Sequence, residues 1–309
     1  MILVCGGLAD GVTEFVCARL EHRGYPYRLL DLATYPAGYS VAWTWNATGV
    51  TGTITGPEWA LDLDDITGAY VRFIGPEGRV SRPGDAEAAG ALQFEADAGL
   101  LAFVEDVPFP VVNRVGGGMS NNSKPYQSLL LRRAGLAVPA TLVTSDPEAV
   151  RDFQSEHPHL IYKSTSGIRS IVRRLGPDQR ARLDFLRDGP AQFQAFVPGR
   201  NVRVHTVGDC VFATLIETEA VDYRYASRDG LDIAMRPVRL PAAIRDACLR
   251  VARELDLLFA GIDLKETPDG DYVCFEVNPC PGFTYYERHT GQPISTALAN
   301  LLNGTPHAA

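Results

Sequence analysis

Between Gly261 and Gly282 the chain reads Gly-Ile-Asp-Leu-Lys-Glu-Thr-Pro-Asp-Gly-Asp-Tyr-Val-Cys-Phe-Glu-Val-Asn-Pro-Cys-Pro-Gly. Three side chains in this run, Asp263, Glu276 and Asn278, carry oxygens that one fold would gather together. Asp269-Gly270 is a strong two-residue turn signal between two apolar, alternating runs. Folding about it sets Asp263 opposite Glu276, and Asn278 shares their face because side chains two apart on a strand point the same way. Ile262, Leu264, Phe275 and Val277 then fill the opposite, core-facing side. Two carboxylates and an amide oxygen suit Mg²⁺, which takes one or two protein carboxylates and completes its shell with water and substrate phosphates. The implied partner is a nucleotide. Acidic strand faces and Asp-Gly turns are also common without a metal, so the remaining elements have to carry the decision.

The start of the chain predicts a βαβ unit: a strand from Ile2 to Cys5, a helix from Gly11 to His22, and a strand from Tyr25 to Leu30. Gly6-Gly7 reads as a tight turn, since a lone glycine pair is weak evidence for a dinucleotide site. A hairpin follows from Ser40 to Ile54, then a strand from Ala69 to Ile74 that carries Arg72. The composition shifts at Gly116-Gly-Gly118 and Ser120-Asn-Asn-Ser123, which marks a boundary. Ser123 and Pro125 open a helix running to Arg133 and hold Lys124 at its mouth. An extended run from Val138 to Thr144 and an acidic helix from Asp146 to Glu156 follow. The strand Leu160-Ile-Tyr-Lys163 then runs into the small-residue loop Ser164-Thr-Ser-Gly167. The last third is read as strands Val202 to Val207 and Val211 to Ile216, a helix from Ala242 to Leu255, the acidic hairpin, and a closing helix from Pro293 to Leu302.

Composition narrows the class. The chain has 309 residues, 46% hydrophobic and 21% charged, enough for two or three domains with a full core. No run approaches the roughly 20 apolar residues of a membrane helix, and Met1-Ile-Leu-Val-Cys reads as a buried strand, so a cytoplasmic protein with no membrane partner is expected. A net charge of −8 disfavours nucleic acid, which needs a basic surface. The six cysteines show no C-x-x-C pairing, and most lie in apolar runs, so neither zinc nor disulfides are indicated. No serine or cysteine stands in a nucleophile motif. His289, just after the acidic hairpin, reads as a surface-loop histidine.

Phe275-Glu-Val-Asn-Pro279 after Gly261-Ile-Asp263, Tyr162-Lys163 before its loop, and Gln194-Ala-Phe-Val-Pro-Gly-Arg-Asn-Val-Arg203 together resemble the ATP-grasp ligases along nearly the whole chain. Leu61-Asp-Leu-Asp-Asp-Ile66, Tyr70-Val-Arg72, Asp222-Tyr-Arg224 and the Asn113 to Gly118 spacing add a likeness to the microviridin-type, or graspetide, peptide macrocyclases. Those are relatives of the ribosomal-protein glutamate ligases. The resemblance implies a mixed α/β and α+β fold: an N-terminal βαβ pre-ATP-grasp domain (1–114), a small central subdomain (115–197) and a C-terminal subdomain with the metal site (198–309).

The same resemblance implies ATP and Mg²⁺ as cofactors. Lys124, Lys163 and Arg203 would contact phosphates, Gln194, Phe196 and Val197 the adenine, and Asn201 the ribose. Asp263, Glu276 and Asn278 would hold the metal. Arg203, Arg224 and Lys163 would be catalytic, and Arg72, Arg169 and Arg224 would face the substrate, because guanidinium forks match planar oxyanions. Three departures stand out: Ala195 and Asn201 replace acids common in relatives, and Arg72 is followed by Phe73 and Ile74 where relatives have a second arginine. The expected activity is ligation of a carboxylate to an amine or hydroxyl, on a peptide or on small carboxylates and amines, with a homodimer left open. The other class still standing is a nucleotide-binding regulatory module without turnover.

Overall fold

The computed structural model describes residues 1–47, 49–73, 86–165, 172–218 and 232–305. The predicted βαβ start is β1 (Ile2–Gly6), α1 (Gly11–His22) and β2 (Tyr27–Asp31). Asp10 caps α1, its carboxylate accepting the Thr13 N–H and hydroxyl at 3.0 and 2.9 Å. Gly6 is needed beneath this cap, since a Cβ there would sit 2.8 Å from the Thr13 side chain. The meander β3 (Ser40–Asn46), β4 (Gly49–Gly56) and β5 (Trp59–Asp62) follows, then β6 (Gly68–Val71), α2 (Ala86–Asp106) and β7 (Val111–Val112). The first sheet is parallel, in the order β2-β1-β6-β7. The 21-residue α2 has no counterpart in the sequence reading, although its run of alanine and leucine without proline is strongly helix-forming.

After α3 (Val115–Gly118) and α4 (Lys124–Arg133) come β8 (Thr141–Thr144), α5 (Pro147–Glu156), β9 (Leu160–Ser164), β10 (Arg173–Arg174), α6 (Pro177–Arg180) and β11 (Ala191–Ala195). Their strands form an antiparallel sheet in the order β10-β9-β11-β8. The last sheet is built from β12 (Arg200–Val207), β13 (Cys210–Glu217), β14 (Ala234–Val238), β15 (Phe259–Glu266) and β16 (Tyr272–Asn278), in the order β14-β13-β12-β15-β16. Helix α7 (Ala242–Glu254) precedes β15, and α8 (Thr284–Thr290) and α9 (Ile294–Leu302) close the chain.

Packing divides these sheets unequally. Ile2, Val4, Leu20 and Tyr70 of the first unit share one core with Phe259, Phe283, Ile294 and Leu298 of the last. The central sheet has its own small core of Val150, Leu160, Leu175, Leu183 and Phe193. Helix α4 joins the last sheet, placing Leu131 and Ala134 beside Val251, Ile262 and Val277. Among the described residues no helix is long and apolar enough to cross a membrane.

Asn113 ties the first unit to the last. Its amide nitrogen donates to the Phe259 and Pro279 carbonyls, and its Oδ1 accepts the Phe259 N–H at 3.1 Å. These bonds hold the two strands of the β15–β16 hairpin together at its open end. Asn113→Ala leaves those backbone groups unpaired and is expected to cost about 2–4 kcal/mol in urea unfolding. A loss below about 0.5 kcal/mol would show that the amide is not a tie.

Candidate functional site

The acidic hairpin is β15–β16, and Asp263 does face Glu276 across it, with Gly261 facing Asn278. The turn, however, is longer than Asp269-Gly270. Thr267 donates its N–H to the Asp271 carbonyl at 2.8 Å, enclosing three residues, and Gly270 takes φ 87°. That loop pairs Leu264 with Cys274, and unbroken pairing would have put Phe275 opposite Asp263. A β-bulge between Asp263 and Leu264 leaves Phe275 as the extra residue and brings Glu276 into place. The bulge also corrects the expected core side: Cys274 and Val277 are fully buried, while Phe275 is only partly buried and belongs to no core cluster.

One row crosses four strands: Thr214, Arg203, Asp263, Glu276. Arg203 donates from Nη1 to Asp263 Oδ2 at 2.8 Å, with side-chain exposures of 6% and 25%. The neighbouring row runs Phe212, His205, Gly261, Asn278. Arg203 Nε donates to His205 Nε2 at 3.5 Å, and that nitrogen lies 3.3 Å from the Gly282 carbonyl oxygen. Burial first, and then the Arg203 charge, hold the His205 imidazole well below its ordinary range, so it is neutral. Asn278 Oδ1 accepts the Cys280 N–H at 2.9 Å. A carbonyl oxygen has two lone pairs, so this bond orients the oxygen and leaves it one further acceptor site. Among the described residues no three His, Cys, Asp or Glu side chains cluster; the oxygen set here is two carboxylates and an amide.

The predicted lysines lie on other elements, Lys124 on α4 and Lys163 on the central sheet. Lys124 is the first residue of α4 and is buried, although the Ser123 side chain makes no capping bond. What docks α4 is Gln127, whose amide donates to the Val277 carbonyl at 2.8 Å and accepts the Val277 N–H at 2.9 Å. Val277 stands between Glu276 and Asn278, so the same bonds hold the edge strand that carries both. On the central sheet, Lys163 is buried in β9 and faces Gln192 of β11. Gln194 follows two residues on, buried, with Nε2 donating to Thr141 Oγ1 at 2.9 Å.

The linker after β11 is already engaged in part. Phe196 donates its N–H to the His159 carbonyl at 2.8 Å, and the Val197 carbonyl accepts from Lys265 Nζ at 3.2 Å. The backbone groups expected to meet adenine therefore narrow to the Phe196 carbonyl and the Val197 N–H. Lys265 lies across from Asn201 in the sheet, and its ammonium sits 5.3 Å from the Phe196 ring centroid, with the Arg174 guanidinium at 4.3 Å. Burial first, and then the Arg174 charge, lower the Lys265 pKa.

Arg72 stands just past β6 and reaches the loop that follows Asn278. Its Nε donates to Asp10 Oδ2 at 2.7 Å, and its Nη1 donates to the Cys280 sulfur at 2.9 Å and carbonyl at 3.4 Å. Burial pushes the Asp10 carboxyl up, but the Thr13 N–H and the Arg72 charge outweigh it and leave the pKa lowered. Arg169 and Arg224 lie outside the described residues, as do Ser166 and Gly167 of the small-residue loop. His289 is exposed and bonded to the Tyr285 carbonyl of its own helix, as expected of a surface histidine.

Residues 121–302, more than half of the chain, match the RimK-like ATP-grasp domain. The chain belongs to the RimK-like ATP-grasp family. It is an ATP-grasp ligase, one of a family of ADP-forming ligases. The alpha-aminoadipate–LysW ligase LysX of Sulfurisphaera tokodaii is 26% identical over 196 residues, 58% of this chain and 66% of that ligase. Among solved structures, the RiPP-associated ATP-grasp ligase of Chryseobacterium gregarium, in complex with ADP and a leader and core peptide, superimposes with a TM-score of 0.83. It is 23% identical and covers 99% of this chain and 97% of its own. The ATP-grasp ligase PsnB, complexed with a phosphomimetic variant of its minimal precursor, Mg and ADP, has a TM-score of 0.80. It is 27% identical and covers 98% of this chain and 97% of its own.

In this ATP-grasp ligase several site-forming residues escaped the sequence reading: Gln127, His205, Gly261, Lys265 and Gln192. Alternation along β12 and β15 would have put His205 and Lys265 on the Arg203 and Asp263 face. Gln127 and Gly261 depend on contacts across elements, which no local pattern reports. A Cβ on Gly261 would lie 2.1 Å from Arg203 Nη2 and 2.6 Å from Pro281. Gly261→Ala is therefore expected to cost about 1–3 kcal/mol of stability by overpacking. The cost should fall by at least about 0.5 kcal/mol in an Arg203→Ala background, measured as a double-mutant cycle in urea. Equal costs in both backgrounds would move the clash to Pro281.

Proposed function

We propose that this ligase uses ATP and Mg²⁺ to join a carboxylate to an amine or hydroxyl through an acyl-phosphate, and that its substrate is a peptide. The product would be a lactam or lactone in cytoplasmic natural-product biosynthesis. The row Arg203, Asp263, Glu276, with Asn278 beside it, carries the reading. Its donors are oxygens only, two of them anionic, with one neighbouring guanidinium, and that chemistry fits magnesium. When bound, the ion would neutralise phosphate oxygens during transfer. Asp263, Glu276 and Asn278 would hold it, the last through the lone pair that Cys280 leaves open.

In this reading residues 1–114, 115–197 and 198–309 form three parts, with the nucleotide between the last two. Buried Lys124, Lys163 and Arg203 would neutralise phosphate charge, and the linker at Gln194 to Val197 would meet the base, with Asn201 at the ribose. A substrate carboxylate would take the γ-phosphoryl group, with ADP as leaving group. The amine or hydroxyl would then displace phosphate from the acyl carbon, and the departing phosphate would take up the nucleophile's proton. Arg203 would stabilise the developing charge. Arg72, with Arg169 and Arg224, would anchor the acceptor; Arg72 is held for this by Asp10 and by the loop after Asn278.

The likeness to PsnB over almost the full chain, at 27% identity, supports the peptide substrate. The LysX likeness favours a second reading, ligation of free amino acids or other small carboxylates. Incubation with ATP, Mg²⁺ and either a short acid-rich peptide or an amino-acid mixture separates the two. Loss of water from the peptide by mass spectrometry, with matching ADP release, supports the first; ADP release on small carboxylates and amines alone supports the second.

Glu276→Gln keeps the side-chain volume and removes one anionic donor. It is expected to lower ADP formation by at least about a hundredfold, since changes one shell further out already cost 10–100-fold. The circular dichroism spectrum should be unchanged. Near-normal turnover in the purified variant would sink the metal assignment.

A further inference from the structure

Gln192 has an environment that folding alone does not explain. It is 1% exposed, in an interior strand of the central sheet, and neither Nε2 nor Oε1 has a hydrogen-bond partner. Burying a whole unpaired amide is costly, and such groups in native proteins call for an explanation. The side chain does not point into the central core. Phe193 takes that direction, packed with Leu160 and Leu183, so Gln192 and Gln194 project from the other face. On that face Gln192 stands directly opposite Lys163, and Gln194 opposite Ile161 and Thr141.

We propose that Gln192 is a base-reading residue, pairing its amide with N6 and N7 of adenine and so setting a preference for ATP. The inference rests on the nucleotide reading of this face. In that reading Gln192 stands across the sheet from Lys163, which would meet phosphate, and two residues before Gln194, which would meet the base. The edge of adenine nearest its phosphates is the one that carries N7 and N6, an acceptor beside a donor. A glutamine amide matches that pair with two hydrogen bonds, whereas guanine offers two acceptors there. Gln194 has one of its two amide N–H groups committed to Thr141 Oγ1, which fixes the orientation of its amide. Gln192 has its whole amide available.

The test is nucleotide affinity by calorimetry, with the full-length enzyme, magnesium, and ATP, 7-deaza-ATP or GTP. The unaltered enzyme is expected to bind ATP roughly tenfold or more tightly than 7-deaza-ATP, which lacks the N7 acceptor, and to disfavour GTP similarly. Gln192→Leu should lose about the same factor for ATP and no longer distinguish ATP from 7-deaza-ATP. Without ligand it should melt no lower than the unaltered enzyme, because the amide it removes is unpaired. Equal affinity of the unaltered enzyme for ATP and 7-deaza-ATP overturns the inference, as does undiminished ATP affinity in Q192L. The analogue comparison needs no variant, so equal affinity overturns the inference even if Q192L misfolds. An enzyme that binds no nucleotide at all would remove the underlying reading, and this inference with it.

Discussion

The pairing register of β12, β15 and β16 is the constraint on which the site depends. A one-residue slip in a strand turns every side chain to the other face. In β16 such a slip would send Glu276 into the core and bring Val277 to the site. The chain meets this risk with two compensating irregularities, a three-residue turn closed by Thr267 and Asp271 and a bulge at Phe275. Either alone would misplace the carboxylate. The Arg203–Asp263 ion pair, and a Gly261 with no room for a side chain, then lock the adjoining strands in the matching register.

Packing sets how the parts of the site are held. The first unit and the last share apolar residues in one core, and Asn113 adds hydrogen bonds at the open end of the acidic hairpin. Arg72, Asp10 and the loop after Asn278 therefore sit on a common rigid base. The central sheet closes its own smaller core, and the linker after it meets β15 through polar contacts of Lys265 with the Val197 carbonyl and the Phe196 ring. Polar contacts across such a junction are broken and remade at lower cost than a shared apolar core, which in the proposed reading would suit a lobe that admits and releases a nucleotide.

Burial concentrates charge where the chemistry needs it. Lys124, Lys163 and Arg203 are all nearly inaccessible, in a protein whose overall balance is acidic. Buried cations are costly without partners, and Arg203 has its partner in Asp263. His205 is kept neutral beside Arg203, so it adds no further positive charge to the row.

Sequence alone determined the local features: the βαβ start, the start of α4 at Lys124, the alternation that put Asp263, Glu276 and Asn278 on one face, and the motif order that marks the family. These follow from short-range rules of alternation, turn residues and capping, which a single chain carries openly. The three-residue turn and its bulge left no such mark, because their opposite shifts cancel in the register that alternation predicts. Only the tertiary structure decided that Phe275 leaves the core for Cys274, that Gln127 holds the edge strand between two proposed metal ligands, and that Lys265 occupies the Val197 carbonyl. It also decided that Gln192 is buried without a partner. Each depends on which residues distant in the chain come within hydrogen-bonding reach, and that is settled by packing between elements.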